Sequence, residues 1–133
     1  MTRVRILFVD DEPAILHSFR VLFWKDRERW DVVLTLGAEA ALRELERGAF
    51  DVIVSDMRMP GMTGADLLAH IRHEAPSTIR IMLSGSADHD DYLRASAVVD
   101  ELIAKPCDTK TLRKCIERWL VVGARSVCSS VKV

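Results

Sequence analysis

A rhythm constrains this chain more than any other feature. Short apolar runs rich in β-branched residues alternate with longer stretches in which apolar residues recur every three or four positions. The runs are Val4 to Val9, Trp30 to Leu36, Phe50 to Ser55, Ile79 to Leu83 and Leu102 to Ala104. Such runs predict strands buried on both faces. Between them, Ile15, Leu16, Phe19, Leu22 and Phe23 mark one helical face, fading near Asp26. Ala38, Ala41, Leu42 and Leu45 mark a second, and Leu67, Leu68 and Ile71 a third. Tyr92, Leu93 and Ala95 mark a weaker helix, and Leu112, Cys115, Ile116, Trp119 and Leu120 stripe the last. Local signals fit this reading: Pro13 suits a first turn, Gly48 a C′ helix stop, and Asp108 an N-cap. Pro60-Gly61 is a turn and Gly64 a second break.

Strands alternating with helices predict a parallel sheet covered on both faces. Right-handed crossovers then leave a doubly wound (βα)5 sheet, and five strands favour the flavodoxin-like order 2-1-3-4-5. The 133 residues suffice for one domain with one core. After Gly123 the apolar stripe stops, so residues 1–122 read as the domain and Ala124 to Val133 as part of a mobile tail over 123–133.

The formal net charge is −1, which gives no general basic surface for nucleic acid. No apolar run nears the roughly 20 residues that span a bilayer, and no secretory h-region opens the chain. Cys107, Cys115 and Cys128 form neither an even framework nor a CxxC pair, which fits reduced thiols and a cytoplasmic location.

The order 2-1-3-4-5 brings distant polar residues together. Strand 1 ends in Asp10-Asp11, strand 3 in Asp56, strand 4 in Ser84 and strand 5 in Lys105. Strands 1 and 3 are neighbours at the point where the order reverses, the place such sheets bind ligands. Three carboxylates there would repel strongly without a cation. Oxygen ligands with room for water suit Mg²⁺ better than a Ca²⁺ cage, and no His or Cys cluster offers zinc a site. A metal beside a carboxylate, a hydroxyl and an ammonium suits phosphoryl transfer to an Asp nucleophile. Asp56, alone on the central strand, is the expected nucleophile. Asp10 and Asp11 are the pair suited to the metal, Lys105 neutralises phosphoryl oxygen, and Ser84 donates a hydrogen bond to it.

These residues carry a resemblance. Phe8-Val9-Asp10-Asp11-Glu12-Pro13, Ser55-Asp56-Met57-Arg58-Met59-Pro60-Gly61-Met62-Thr63-Gly64, Leu83-Ser84-Gly85 and Ala104-Lys105-Pro106 stand in this order at this spacing. The chain resembles, from about Arg3 to Leu120, a CheY-like response-regulator receiver domain, the phosphoacceptor of two-component signalling. The resemblance implies Mg²⁺ held by Asp10, Asp11, Asp56 and the backbone carbonyl of Arg58. It also implies that Asp56 accepts phosphate from a sensor histidine kinase, with Ser84 as the hydroxyl residue and Lys105 as the phosphate-binding lysine. The Lys105-Pro106 bond is often cis in this family, which would help aim the ammonium. The implied role is a switch that phosphorylates itself from a donor and dephosphorylates slowly, rather than a turnover enzyme. Output would pass to another domain, a protein or a second copy through the face of helix 4, strand 5 and helix 5. The wording around Asp56 and Lys105-Pro106-Cys107-Asp108 is similar to receivers attached to HD-GYP or HDOD outputs.

One position departs from the family. Three residues before the lysine, where Tyr or Phe is common, this chain has Leu102. Output is therefore expected to run through backbone movement of the loop from Ser84 to Ala87. Three other functions compete. A haloacid-dehalogenase-like phosphohydrolase would want its acids spaced Asp-x-Asp and usually a cap domain. A flavin carrier would want a phosphate-cradling loop where Asp10-Asp11-Glu12 stands. A phosphorylation-independent interaction module could use the same fold. His17, His70, His73 and His89 receive no catalytic role. Trp24, Trp30 and Trp119 read as packing or partner surface.

Overall fold

The computed structural model describes residues 3–85 and 89–132. Its strands are β1 (Val4–Asp10), β2 (Trp30–Leu36), β3 (Val52–Asp56), β4 (Ile79–Ser84) and β5 (Glu101–Ala104). Its helices are α1 (Pro13–Leu22), α2 (Ala38–Arg47), α3 (Gly64–Glu74), α4 (His89–Ser96) and α5 (Thr109–Lys132), with a 3-10 turn at Trp24–Asp26. All pairings are parallel, in the order β2-β1-β3-β4-β5. The expected (βα)5 sheet is thus observed.

Period-two geometry divides each central strand between two cores. Leu7, Val9 and Ile53 face Ala41 of α2, Leu67, Leu68 and Ile71 of α3 and Ala95 of α4. Ile6, Phe8, Val52 and Val54 face Leu16 and Phe23 near α1 and Leu112, Cys115 and Ile116 of α5. Every residue of β3 is buried, including Ser55 and Asp56. A strand buried on both faces has no slack to slip register, so its last residue is fixed in place.

Local chemistry sets the helix starts. Pro13 stands in the first turn of α1, where its missing N–H costs nothing. Thr63 and Asp66 form a reciprocal capping box at the start of α3. Asp108 accepts a hydrogen bond from the Thr111 amide at 2.7 Å, as an N-cap should.

Two helix ends add detail. Helix α2 ends at Arg47, directly before the expected stop at Gly48, whose backbone is extended at φ 172°. The last helix does not stop at Gly123; its backbone is helical to Lys132. The apolar stripe marks only the face that α5 buries, so it does not locate the end of the helix. Among the described residues, no helix is long and apolar enough to cross a membrane.

Candidate functional site

A parallel sheet delivers all its strand tips to one end. Asp10 closes β1 and Asp56 closes β3, its neighbour. The two carboxylates are 2% and 8% exposed, and Asp11 is half-buried beside them. One oxygen from each of Asp10, Asp11 and Asp56 lies within 4.8 Å of the others. At that spacing two like charges repel by about 3 kcal/mol at an effective dielectric of 20.

The backbone relieves part of this. Asp10 accepts a hydrogen bond from the Glu12 amide at 3.0 Å, and Asp56 Oδ1 accepts one from the Met57 amide at 3.0 Å. Lys105 supplies the counter-charge: its Nζ donates to Asp56 Oδ1 at 2.7 Å. Burial still pushes the Asp10 carboxyl above its ordinary value; the Glu12 amide opposes this, and the charge of Asp56 adds to it. Burial alone would lower the Lys105 ammonium. The bond to Asp56 and the charges of Asp56, Asp10 and Glu12 outweigh it, leaving Lys105 raised.

Ser84 closes β4 opposite Ala104 in register, and its carbonyl accepts the Lys105 amide at 2.9 Å. That backbone hydrogen bond holds the lysine, one residue past β5, beside the hydroxyl residue. The Lys105-Pro106 bond is cis. The loop from Ser84 to Ala87, expected to carry output, lies partly outside the described residues. Leu102 is half-buried, in register with Met82 and packed on the α2–α4 side.

Two supporting groups were not singled out as such from the sequence. Gly64 was read only as a break. A Cβ there would stand 2.1 Å from the Asp56 carbonyl oxygen, so only glycine lets α3 begin this close to the tip of β3. The Gly64 amide also donates to the Met57 carbonyl at 2.8 Å, closing the loop after Asp56. The Thr63–Asp66 capping box anchors the same turn. Its Thr-x-x-Asp spacing is a sequence signal for a helix start. Arg58, two residues past Asp56, aims its guanidinium at Asp91 of α4.

The donor set fits a hard divalent cation. Three carboxylates from two adjacent tips supply only oxygen, and three negative charges face one ammonium.

Comparison with known proteins agrees. A family model described as the response regulator receiver domain matches residues 6–117. The alginate biosynthesis transcriptional regulatory protein AlgB of Pseudomonas aeruginosa is 34% identical over 121 residues, covering 89% of this chain and 26% of that protein. This chain therefore spans about a quarter of that relative. The receiver domain of an HD domain-containing protein from Pseudomonas fluorescens Pf-5 superposes with TM-score 0.86 at 28% identity, over 93% of this chain and 99% of that one. The response regulator TrrA of Thermotoga maritima, solved with Mg²⁺ and beryllium fluoride, superposes with TM-score 0.74 at 26% identity, over 86% and 97%. By sequence match and by fold, the chain belongs to the response-regulator receiver-domain family, the phosphorylation switches of two-component signalling.

Proposed function

We propose that Asp56 is the phosphoacceptor, with Lys105 and Ser84 holding the transferred group and Asp10, Asp11, Asp56 and the Arg58 carbonyl holding Mg²⁺. One observation carries this reading: carboxylates from two neighbouring strand tips converge on a single pocket with one ammonium. Bound Mg²⁺ would neutralise charge on the phosphoryl oxygens. The chain's own groups do the rest. An Asp56 carboxylate oxygen attacks phosphorus, a P–O bond forms, and the P–N bond of a phosphohistidine breaks, its electron pair leaving with the imidazole. The Met57 amide orients the Asp56 carboxylate. Lys105 exchanges part of its contact with Asp56 for the incoming phosphoryl group. The Ser84 hydroxyl donates to another phosphoryl oxygen.

The donor is a histidine kinase. Beside Lys105 runs an apolar groove of ≈ 460 Å³ between α1 and the start of α5, lined by Ile15, Phe19, Leu22, Pro106 and Leu112. It is continuous with the site and suits the apolar face of a kinase helix that brings its histidine to Asp56. The likeness to the Pseudomonas fluorescens receiver, with the wording around Asp56 and Lys105, supports an HD-type output.

Intact mass after acetyl phosphate with Mg²⁺ tests the reading. The wild type should gain one phosphoryl group, and Asp56→Asn should gain none. An unchanged wild-type mass would sink it, and steady turnover of p-nitrophenyl phosphate would favour a hydrolase.

A further inference from the structure

The loop that follows Asp56 is tied to α4 by an ion pair. Arg58 lies two residues past the acceptor, and its guanidinium meets the carboxylate of Asp91, in the first turn of α4. The two ends of this pair differ. The Asp91 side chain is 13% exposed, whereas that of Arg58 is 67% exposed. The carboxylate is held by its helix. The guanidinium reaches it from the loop through solvent, on a long side chain with many rotamers.

Helix α4 buries few apolar groups among the described residues. Ala95 is its one deeply buried residue among those described, and Tyr92 and Leu93 are more than half exposed. Near its C-terminal end, Arg72 of α3 donates to the Ala97 carbonyl at 3.0 Å. Elements with few buried apolar groups open at small free-energy cost. A modest change at the Arg58 end can therefore move the first turn of α4.

A phosphoryl group on Asp56 would carry roughly 1.5 to 2 negative charges in place of the carboxylate's one, close in sequence to Arg58. Arginine binds phosphate oxygens as well as it binds a carboxylate. We infer that Asp91 and the phosphoryl group on Asp56 compete for the Arg58 guanidinium, so that phosphorylation releases the first turn of α4. Leu102 has no aromatic ring to relay the signal towards α4 and β5, and the ion pair supplies a direct connection. Arg58 and Asp91 are thus positioning residues for the switch. The inference rests on Asp56 being the phosphoacceptor.

Competition has a thermodynamic signature: whatever weakens the hold of Asp91 on Arg58 must strengthen the hold of the phosphoryl site. The test uses the full chain with Mg²⁺ and beryllium fluoride as the phosphoryl mimic. Affinity is read by titration and α4 by the amide shifts of Asp90 to Arg94. Asp91→Asn should bind the mimic about threefold tighter, the size expected for an exposed ion pair. Its free-state α4 shifts should already move towards those of the bound wild type. Asp91→Glu should restore the wild-type values. Arg58→Gln should bind about threefold more weakly, and adding Asp91→Asn to it should change nothing further. Unchanged affinity in Asp91→Asn, or an effect that persists in the Arg58→Gln background, would overturn the competition. If the wild type bound no mimic, or Asp56→Asn bound it equally well, the phosphoacceptor reading would fail instead. Thermal melts of each variant separate unfolding from loss of coupling.

Discussion

The two ends of the sheet treat charge in opposite ways. At the N-terminal end, the Asp26 carboxylate is buried but doubly paired: Arg29 reaches it at 2.8 Å and Arg113 at 3.1 Å. Arg113 also donates to the Leu22 carbonyl at 2.7 Å, and Arg29 meets Glu117 at 2.9 Å. The buried Arg80 donates to the carbonyls of Val98 and Thr78, at 2.8 and 3.0 Å, with Asp100 beside it. At the C-terminal end, three carboxylates share one pocket with a single ammonium. One end is electrostatically closed. The other is left short of positive charge, which is what a site waiting for a cation and a phosphoryl group requires.

Breaking the closed end should have the largest effect. Asp26→Ala strands Arg113 against Phe23 without its carboxylate and removes one of the ties between the turn after α1 and α5. Removing one member of a buried pair costs about 3 kcal/mol or more. Chemical denaturation should show that loss with the β1–β3 site chemistry otherwise intact.

The next largest effect sits under the open end. Gly64→Ala drives a methyl group into the Asp56 carbonyl, and overpacking of this kind costs about 2 kcal/mol. Phosphorylation by acetyl phosphate should slow as well, because Asp56 and Met57 must shift to make room. A substitution that lowered stability but left the phosphorylation rate unchanged would show that the loop moves independently of the β3 tip.

A gain in stability is expected from relieving the open end. Asp10→Asn keeps an acceptor for the Glu12 amide and removes one of three crowded charges. Metal-free stability at neutral pH should rise by about 1 kcal/mol. The pH sign follows from the raised Asp10 carboxyl. The folded chain keeps a proton that the unfolded chain releases near 3.8, so this contribution is full below 3.8 and is lost as pH rises through the higher folded value. Asp10→Asn should flatten that part of the metal-free stability profile.

The smallest effect lies between the two ends. Burial pushes the Cys115 thiol up to about 11, with the charge of Glu101 adding to it. Iodoacetamide near pH 8 should therefore modify the half-exposed Cys107 well before Cys115. Equal labelling of the two would mean that α5 opens away from the sheet.

The comparison also explains what the sequence could tell. Runs such as Val52-Ile53-Val54 are legible because burial on both faces leaves only apolar choices. The tips follow once the strand order is known, which is why Asp10, Asp56, Ser84 and Lys105 could be grouped. The closed end was not legible. Asp26 and Arg113 lie 87 positions apart, and no periodicity links a carboxylate in a short turn to an arginine on the last helix. The Arg58–Asp91 pair is hidden for the same reason. Gly64 carried a readable signal, since Thr63 and Asp66 flank it with capping-box spacing. Read as a loop break, it concealed the close approach to Asp56. Apolar spacing reports burial, so the stripe on α5 could not show how far its backbone runs.

Thermal denaturation with and without millimolar Mg²⁺ tests the contrast between the two ends most directly. Mg²⁺ should raise the melting temperature of the wild type at pH 7.5, less so at lower pH as the raised Asp10 carboxyl takes up its proton, and barely at all in Asp10→Asn or Asp11→Asn. A wild-type melting temperature indifferent to Mg²⁺, or a rise that survives both substitutions, would contradict it.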